Sequence, residues 1–360
     1  MKRFRRFAFL VGLFAVMLFQ GNGWADDTSW SGSLRFQVEL RPGVVSTIQA
    51  IYMVNLHHPS GGKTLLAIPG MGLTASSYAP LVEQLFAADS HGNSSVFSAA
   101  ILVDFPGHGG SSLPRSNSSV APLLFGNLTL QDYLNSVFGV LDQLKYLQIQ
   151  PDTLVGHCMS GLLIMMAQQQ LIARKSDLRA AYGIKDVILL ATDPPGQIQG
   201  SRSDPAAFNI AKFTVPNDPV LGTYINLIPQ FIMNMWFRNL AGAYVPGAPL
   251  EYFTDPSPIA NESMMVLLEI FGRPPFSSRP MIDWGIFNPG RGLSLSIIAF
   301  SQDAFYTPEG QFSTYAYLTG DPTGGLYAGR RYYLVDTSDA VHGMYYSNPA
   351  ALLSVGSAFR

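Results

Sequence analysis

The stretch Thr153-Leu154-Val155-Gly156-His157-Cys158-Met159-Ser160-Gly161-Leu162 combines a short apolar strand, a sharp turn and the start of an apolar helix that continues to about Leu171. In a nucleophile elbow, the central residue of a small-x-nucleophile-x-small pattern occupies a strained turn between a strand and a helix. The small positions here are Gly156 and Ser160, and the central residue is Cys158, the only cysteine in the chain. The pattern therefore predicts that Cys158 is a nucleophile.

The position of Cys158 in front of a helix is favourable for nucleophilic chemistry. A thiol attacks as its thiolate, and the N-terminus of a helix offers partial positive charge and N–H groups to a developing oxyanion. The alternative is that a lone cysteine serves as a small buried hydrophobic residue. A base and an acid at matching positions elsewhere in the chain would favour catalysis over this alternative.

The beginning of the chain has the pattern of a secretory signal. Residues 1–6 include four basic residues, residues 7–19 are apolar, and small residues stand at Gly23 and Ala25. Residues 1–25 are therefore predicted to be a signal peptide, with export to the periplasm or the medium. The apolar run is shorter than the ~20 residues of a membrane-spanning helix, so no membrane span is expected after processing.

The net charge and the composition of the chain indicate which classes of binding partner are not expected. Loss of residues 1–25 removes four basic residues and shifts the formal net charge from −2 to −6. A mildly acidic chain without a run of Lys or Arg is not expected to bind nucleic acid or an anionic membrane surface. The length of 360 residues with 48% hydrophobic content predicts one large domain with an insertion.

Apolar strands alternate with amphipathic helices through residues 26–193 and 290–360, which are predicted to form one core. An antiparallel hairpin is predicted at residues 34–39 and 44–56, with helices at about 77–88, 129–147 and 350–359. Buried strands are predicted at residues 63–69, 97–105, 153–155, 186–191, 293–300 and 331–336. This order predicts an α/β fold with a mostly parallel central sheet flanked by helices. Sites in such sheets lie at the carboxyl ends of the strands.

Residues 194–289 interrupt the alternation. The segment is rich in Met and aromatic residues and is broken by many Pro and Gly residues. A connection of this length is not expected to be a bare loop, so we predict a helical cap inserted between late strands. Its apolar side chains could line a pocket for a small-molecule or lipid-like apolar acyl substrate, or they could form the core of the cap itself.

Acidic and basic candidates follow three predicted strands. Asp303 comes just after the strand at 293–300, and His342 follows the strand at 331–336. Asp193 ends the strand at 186–191 and is a rival acid. Together with Cys158, these residues stand where parallel strands deliver a nucleophile, an acid and a base to one edge of the sheet.

Three stretches resemble motifs of the α/β-hydrolase fold family. Ile68-Pro69-Gly70-Met71-Gly72 is similar to the His-Gly-x-Gly oxyanion loop, with Pro69 in place of His. The stretch from Asp104 to Ser111 resembles the Asp-x-Pro-Gly-x-Gly-x-Ser turn, and the stretch from Gly156 to Gly161 resembles Gly-His-Ser-Met-Gly-Gly. Cys158 replaces the usual Ser in the last motif, as in dienelactone hydrolases and polyhydroxyalkanoate synthases.

The resemblance implies a role for each candidate residue. His342 would be the general base and Asp303 its orienting acid, with Asp193 as the alternative acid that some relatives use. The backbone N–H groups of Met71 and Met159 would form an oxyanion hole. His57 and His58 are adjacent, so on a strand they point to opposite faces and make a poor metal pair, and we expect no metal and no cofactor.

The sequence therefore predicts an exported acyl hydrolase of the esterase, lactonase or thioesterase type, with a Cys-His-Asp triad and an acyl-thioester intermediate. A thioester can also pass its acyl group to an alcohol or amine, so an acyltransferase is an alternative. A third possibility is a non-catalytic binding protein that retains the fold.

Overall fold

The computed structural model describes residues 29–58, 61–87, 96–200, 214–226, 236–245, 261–271, 279–321, 331–354 and 358–359. The expected signal peptide at residues 1–25 lies outside these residues and stays a prediction. The strands, in chain order, are β1 Ser29–Arg41, β2 Val44–Asn55, β3 Lys63–Ile68, β4 Phe97–Val103, β5 Arg115–Ser116, β6 Thr153–His157, β7 Asp186–Leu190, β8 Thr214–Asp218, β9 Gly222–Ile225, β10 Glu262–Ser263, β11 Ser294–Phe300 and β12 Tyr332–Val335.

The central sheet has the strand order β1-β2-β4-β3-β6-β7-β11-β12, and β5 pairs with β2. The β1–β2 and β2–β4 pairs are antiparallel, whereas β3, β4, β6, β7, β11 and β12 pair in parallel. Residues of β4 and β6 are all buried, because helices cover both faces of the parallel part. The α/β architecture with a mostly parallel sheet is therefore confirmed, and so is the hairpin at its edge.

Helices connect these strands and flank the sheet. They are α1 Ala79–Ala87, α2 Leu130–Tyr146, α3 Met159–Ala173, α4 Leu178–Tyr182, α5 Met264–Phe271, α6 Pro308–Thr319, α7 Met344–Ser347 and α8 Pro349–Ser354. Short 3-10 turns lie at Ala75–Tyr78, Phe125–Asn127 and Pro289–Arg291. Within the described ranges, no helix combines the length and the apolar character needed to cross a membrane.

Local chemistry explains where two of these helices begin. The Thr129 side chain accepts from the backbone N–H of Asp132, and the Asp132 carboxylate accepts from the N–H of Thr129, which forms a capping box at α2. Helix α3 starts directly after Cys158, three residues earlier than its predicted start at Leu162. Its side chains are buried on nearly all sides, so it lies in the interior beneath the site.

The segment 194–289 contains strands that the sequence did not predict. Among its described residues, β8, β9 and β10 form a separate antiparallel sheet in the order β10-β9-β8, and α5 follows directly. This small sheet lies on the core, because Ser263 Oγ donates to the carbonyl of Leu128 at 2.6 Å and Gly126 N donates to that of Leu221 at 2.6 Å. The boundaries of the predicted cap stay a prediction.

Candidate active site

Cys158 lies on a strained turn between β6 and α3. Its backbone has φ 54° and ψ −123°, a conformation that is rare for a residue with a side chain. Three backbone hydrogen bonds hold it there: Cys158 N donates to the carbonyl of Leu190, and the Cys158 carbonyl accepts from Gly161 N and Asp193 N. Residues of β7, of the loop after β7 and of helix α3 therefore hold Cys158 in this strained conformation.

The small residues of the elbow allow close packing. A Cβ added to Gly156 would lie 2.6 Å from Cδ1 of Ile164 on α3, which leaves no room for a side chain. Ser160 Oγ lies 2.7 Å from the carbonyl oxygen of Ile68 at the end of β3, and it accepts from the N–H of His157 at 2.7 Å. Ser160 thus ties the elbow to the strand that leads into the predicted oxyanion loop.

The loop after β3 passes directly over the elbow. A Cβ added to Gly70 would lie 2.7 Å from Nδ1 of His157 and 3.2 Å from Cβ of Cys158. Met71 follows Gly70 in this loop, and Met159 is the first residue of α3; both side chains are buried. The structure therefore brings together the two segments whose backbone N–H groups are predicted to form the oxyanion hole.

His342 and Asp303 are hydrogen-bonded, as predicted from their positions after β12 and β11. Nδ1 of His342 lies 2.9 Å from Oδ2 of Asp303, and both side chains are buried. The loops that carry them are joined by a hydrogen bond from Gln302 N to the carbonyl of Ala340 at 3.0 Å. Because Nδ1 carries the proton of the carboxylate bond, Nε2 is the nitrogen left to interact with Cys158.

The electrostatic environment favours a proton on His342. Burial alone would lower its pKa, but the Asp303 carboxylate and the Cys158 sulfur more than compensate and raise the pKa to about 10. Nε2 makes no hydrogen bond within the described part of the chain. The imidazole is therefore buried, oriented and strongly basic beside the sulfur.

Aromatic side chains surround the base. The ring centroids of Phe305, Trp236 and Tyr306 lie 4.5, 5.6 and 5.7 Å from that of His342. Trp236 comes from the predicted cap segment, and its carbonyl accepts from Gly343 N at 2.8 Å. Other large apolar residues of this segment face solvent, since Met281 and Trp284 are each 59% exposed. Of the large apolar residues described in this segment, some therefore pack at the site and others are exposed to solvent.

The rival acid Asp193 has a different partner. Its Oδ1 lies 3.4 Å from Nη2 of Arg279, and the Asp193 side chain is fully buried. Burial raises the pKa of Asp193, while Arg279, Tyr306 and His342 act in the opposite direction. Asp303, and not Asp193, hydrogen-bonds to the imidazole of His342.

Sequence patterns did not single out Tyr306 or Arg279. Tyr306 follows Asp303 by three positions, and its hydroxyl oxygen lies 3.6 Å from Sγ of Cys158. The one available signal was its place in the loop after β11, which the sequence had already identified as the loop of the acid. Arg279 is mostly buried, and its Nε lies 3.3 Å from the carbonyl oxygen of Ile270.

A buried carboxylate from the inserted segment reaches the oxyanion loop. Oε2 of Glu262 accepts from Gly72 N at 2.9 Å, and Oε1 accepts from the Tyr133 hydroxyl at 2.7 Å. Nε2 of His108 lies 3.6 Å from Oε2. Burial would lower the pKa of His108, but Glu262 and the Pro106 carbonyl raise it above its usual value. Glu262 thus connects the inserted segment to the loop that carries Met71.

The described side chains contain no group of three or more His, Cys, Asp or Glu residues placed to hold a metal ion.

Comparisons with known proteins agree with this architecture. A model described as "Alpha/beta hydrolase family" matches residues 65–353. A thermophilic esterase from Thermogutta terrifontis is similar over 89% of this chain and 95% of its own, with a TM-score of 0.52 and 14% identity. A bromoperoxidase from Bacillus anthracis is similar over 89% of this chain and 97% of its own, with a TM-score of 0.52 and 15% identity. An N-acyl homoserine lactonase solved with N-hexanoyl homoserine is similar over 89% of this chain and 94% of its own, with a TM-score of 0.50 and 15% identity. At these sequence identities the similarity concerns the fold alone. A search of curated protein sequences found no match to this chain.

Proposed function

The chain belongs to the alpha/beta hydrolase family, and we propose that it is an acyl hydrolase in which Cys158 takes the place of the nucleophilic serine. The observation that carries the proposal is the arrangement at the elbow. A strained backbone presents Cys158, and a buried His342, whose Nδ1 is bonded to Asp303 at 2.9 Å, stands beside the sulfur. This geometry supports a triad for acyl transfer, with Cys158 as nucleophile, His342 as base and Asp303 as orienting acid.

In the first half-reaction, the Cys158 sulfur attacks the carbonyl carbon of an ester, lactone or thioester. The thiol proton passes to Nε2 of His342, and a tetrahedral oxyanion forms between the N–H groups of Met71 and Met159. Its collapse breaks the bond to the leaving group, which takes the proton from His342. The product is an acyl thioester on Cys158 and a free alcohol or thiol.

In the second half-reaction, water attacks the thioester. His342 accepts a proton from that water, the C–S bond breaks, and the carboxylic acid leaves. Asp303 holds the imidazole in one tautomer throughout and stabilises its positive charge. The raised pKa of His342 supports this role, because the base must hold a proton between the two partners of each transfer.

The surroundings of the site favour an apolar acyl group. Phe305, Tyr306 and Trp236 are each at most 3% exposed and lie against the base. Such rings exclude water and contribute apolar contacts, whereas a charged acyl chain would lose its hydration there. A small-molecule or lipid-like apolar ester is therefore the substrate class that we propose.

Intact-protein mass spectrometry after brief incubation with a panel of p-nitrophenyl acyl esters tests the proposal. Wild type should gain the mass of one acyl group, Cys158→Ala should gain none, and His342→Ala should gain it slowly. Decay of the adduct in water supports hydrolysis, and decay that requires an added alcohol or amine supports acyl transfer instead. Unmodified wild type with every ester would contradict the proposal and favour a binding protein.

Export is part of the proposal and rests on the basic, apolar and small-residue pattern of residues 1–25. Expression of the full chain in a bacterial host, followed by mass analysis of the periplasmic and medium fractions, tests it. The expected mass is that of a chain beginning at residue 26. Recovery of the uncleaved chain from the cytoplasm alone would contradict export.

A further inference from the structure

The hydroxyl of Tyr306 touches the atom that is proposed to react. Its oxygen lies 3.6 Å from Sγ of Cys158, which is within hydrogen-bonding reach of sulfur. Tyr306 is 1% exposed and Cys158 is 3% exposed, so bulk water does not compete well for this contact. An O–H donor at a buried sulfur has its largest effect when the sulfur carries negative charge.

The acid of the triad also fixes Tyr306. Oδ2 of Asp303 binds His342, while Oδ1 accepts from the backbone N–H groups of Phe305 at 2.6 Å and Tyr306 at 3.2 Å. One carboxylate therefore orients the base and holds the backbone of the tyrosine. As a result, the hydroxyl and the imidazole approach Cys158 from two loops that share the carboxylate of Asp303.

The environment keeps the hydroxyl protonated. Burial raises the pKa of Tyr306 well above its usual value of 10, Asp193 and Cys158 raise it further, and Arg279 opposes them. At neutral pH the phenol therefore retains its proton, for which the Cys158 sulfur and the Asp193 carboxylate are the two neighbouring acceptors. The Asp193–Arg279 pair lies on the same side of the site and places a guanidinium near the sulfur, where it also favours negative charge.

We propose that Tyr306 is a further catalytic residue, whose hydroxyl donates a hydrogen bond to the Cys158 sulfur whenever that sulfur is anionic. The proposal rests on the acyl-hydrolase function above. It assigns to Tyr306 the stabilisation of the departing thiolate in the second half-reaction, a task separate from that of the oxyanion hole.

Departure of the thiolate in the second half-reaction requires no proton from Tyr306. When the second tetrahedral intermediate collapses, the C–S bond breaks and its electron pair remains on sulfur. The carbonyl of the acid product re-forms from the oxyanion. Tyr306 keeps its own proton and only donates a hydrogen bond, and the proton that His342 took from water then neutralises the thiolate.

The first test measures sulfur reactivity and does not depend on any substrate. Cys158 is the only cysteine, so alkylation by iodoacetamide, a reagent small enough for a buried thiol, reports on it alone. At pH 7, Tyr306→Phe should be alkylated about threefold more slowly than wild type, because loss of the donor reduces the thiolate fraction more than it raises nucleophilicity. At high pH the order should reverse, because ionisation then limits neither rate and the sulfur without its hydrogen-bond donor is the stronger nucleophile.

Tyr332→Phe is the matched control. It also removes one tyrosine hydroxyl, which donates to the carbonyl of Pro308 at 2.8 Å on the edge strand β12. Its alkylation rate should equal that of wild type at every pH. Equal rates for a folded Tyr306→Phe and wild type would overturn the proposal.

The second test separates formation of the acyl-enzyme from its decay. In Tyr306→Phe, decay of the thioester observed by intact mass should be about tenfold slower than in wild type, since a hydrogen bond to a charged group is lost. Normal decay together with slowed alkylation would overturn the leaving-group role. If wild type forms no acyl-enzyme, the hydrolase function itself fails, while the alkylation test still reports on the contact.

Site-specific incorporation of 3-fluorotyrosine at position 306 covers the case in which Tyr306→Phe does not fold. The fluorinated side chain retains the shape of tyrosine and is a stronger hydrogen-bond donor. Faster thioester decay and faster alkylation at pH 7 than in wild type are expected. Slower or unchanged rates would overturn the proposal.

Discussion

Nε2 of His157 lies 3.0 Å from the backbone carbonyl oxygen of His342, so the residue before the proposed nucleophile is hydrogen-bonded to the proposed base. Burial and the charge of His342 lower the pKa of His157 well below its usual value. The ring is therefore neutral, and its one proton is carried by Nε2, because only N–H can donate to the carbonyl. His157 thereby positions the main chain of the base from within the elbow.

His157→Phe removes this donor and leaves a buried carbonyl without its partner. We expect a loss of about 1–3 kcal/mol in the free energy of unfolding, measured by urea titration. His157→Gln can place an amide N–H near the position of Nε2 and should recover part of this loss. Equal stabilities of wild type and His157→Phe would show that the contact contributes nothing.

The two buried acids should behave differently when their charge is removed. Asp303→Asn disturbs the tautomer and the charge partner of His342, and loss of the equivalent contact in a serine protease costs ~10⁴-fold in rate. Asp193→Asn leaves the His342–Asp303 bond in place and should reduce the rate far less. The rate of acyl-enzyme formation, followed by rapid mixing and intact-protein mass, compares the two variants. A larger loss of rate in Asp193→Asn would identify Asp193 as the orienting acid.

Stability should depend on pH through His342. Its pKa in the folded protein is raised to about 10 from a usual value of 6.5. The folded state therefore binds this proton more tightly than the unfolded state, and the stabilisation is fully present below about pH 6.5. It is lost as the pH rises from there through about 10.

Urea unfolding of wild type and His342→Gln at intervals between pH 6 and pH 10.5 measures this dependence. The advantage of wild type over the variant should decline across the interval, because the variant lacks the titrating group. An advantage that grows with rising pH would contradict the raised pKa of His342.

Gly70 should not tolerate even one additional carbon atom. In Gly70→Ala, the Cβ would overlap Nδ1 of His157 and press on Cβ of Cys158, so the loop that carries Met71 must move. Loss of one oxyanion donor costs about 10²–10³-fold in kcat, and we expect a decrease of this order. Gly290→Ala is the control, because its Cβ would meet only Oδ1 of Asn288, at 3.2 Å.

Glu262→Gln should weaken the connection between the inserted segment and the oxyanion loop. The carboxamide has one acceptor oxygen, whereas the carboxylate accepts from Gly72 N–H, the Tyr133 hydroxyl and Ser263 N–H. A buried donor left without its acceptor costs about 1–3 kcal/mol, measurable as a lower unfolding free energy. Glu309→Gln, at the exposed start of α6, should leave stability nearly unchanged.

The sheet could be predicted from sequence because its interior strands are short continuous apolar runs. Predicted and observed strand bounds differ by two residues or fewer at β3, β4, β6, β7, β11 and β12. Cys158, Asp303 and His342 could be found for a related reason, since each follows such a strand and parallel strands end at one edge. The hydrogen bond of His342 to Asp303 confirms the expected proximity of acid and base, while the catalytic roles stay predictions.

Two contacts between single residues that are distant in the chain could not be predicted. The Tyr306–Cys158 contact spans 148 residues and the Gly72–Glu262 bond spans 190. Neither depends on a local period or on a turn motif, because each joins single polar groups from loops, turns or short strands. The small sheet of β8, β9 and β10 was missed since strands of two to five residues give almost no alternation to detect.

The backbone geometry of Cys158 has an evolutionary consequence. The elbow is held by main-chain hydrogen bonds to Leu190, Gly161 and Asp193, none of which involves the thiol. A lineage can therefore exchange sulfur for oxygen through Cys158→Ser in a single mutational step without passing through a misfolded ancestor. Under the proposed function, selection then acts on the lifetime of the covalent intermediate, thioester or oxyester, while the scaffold is inherited unchanged.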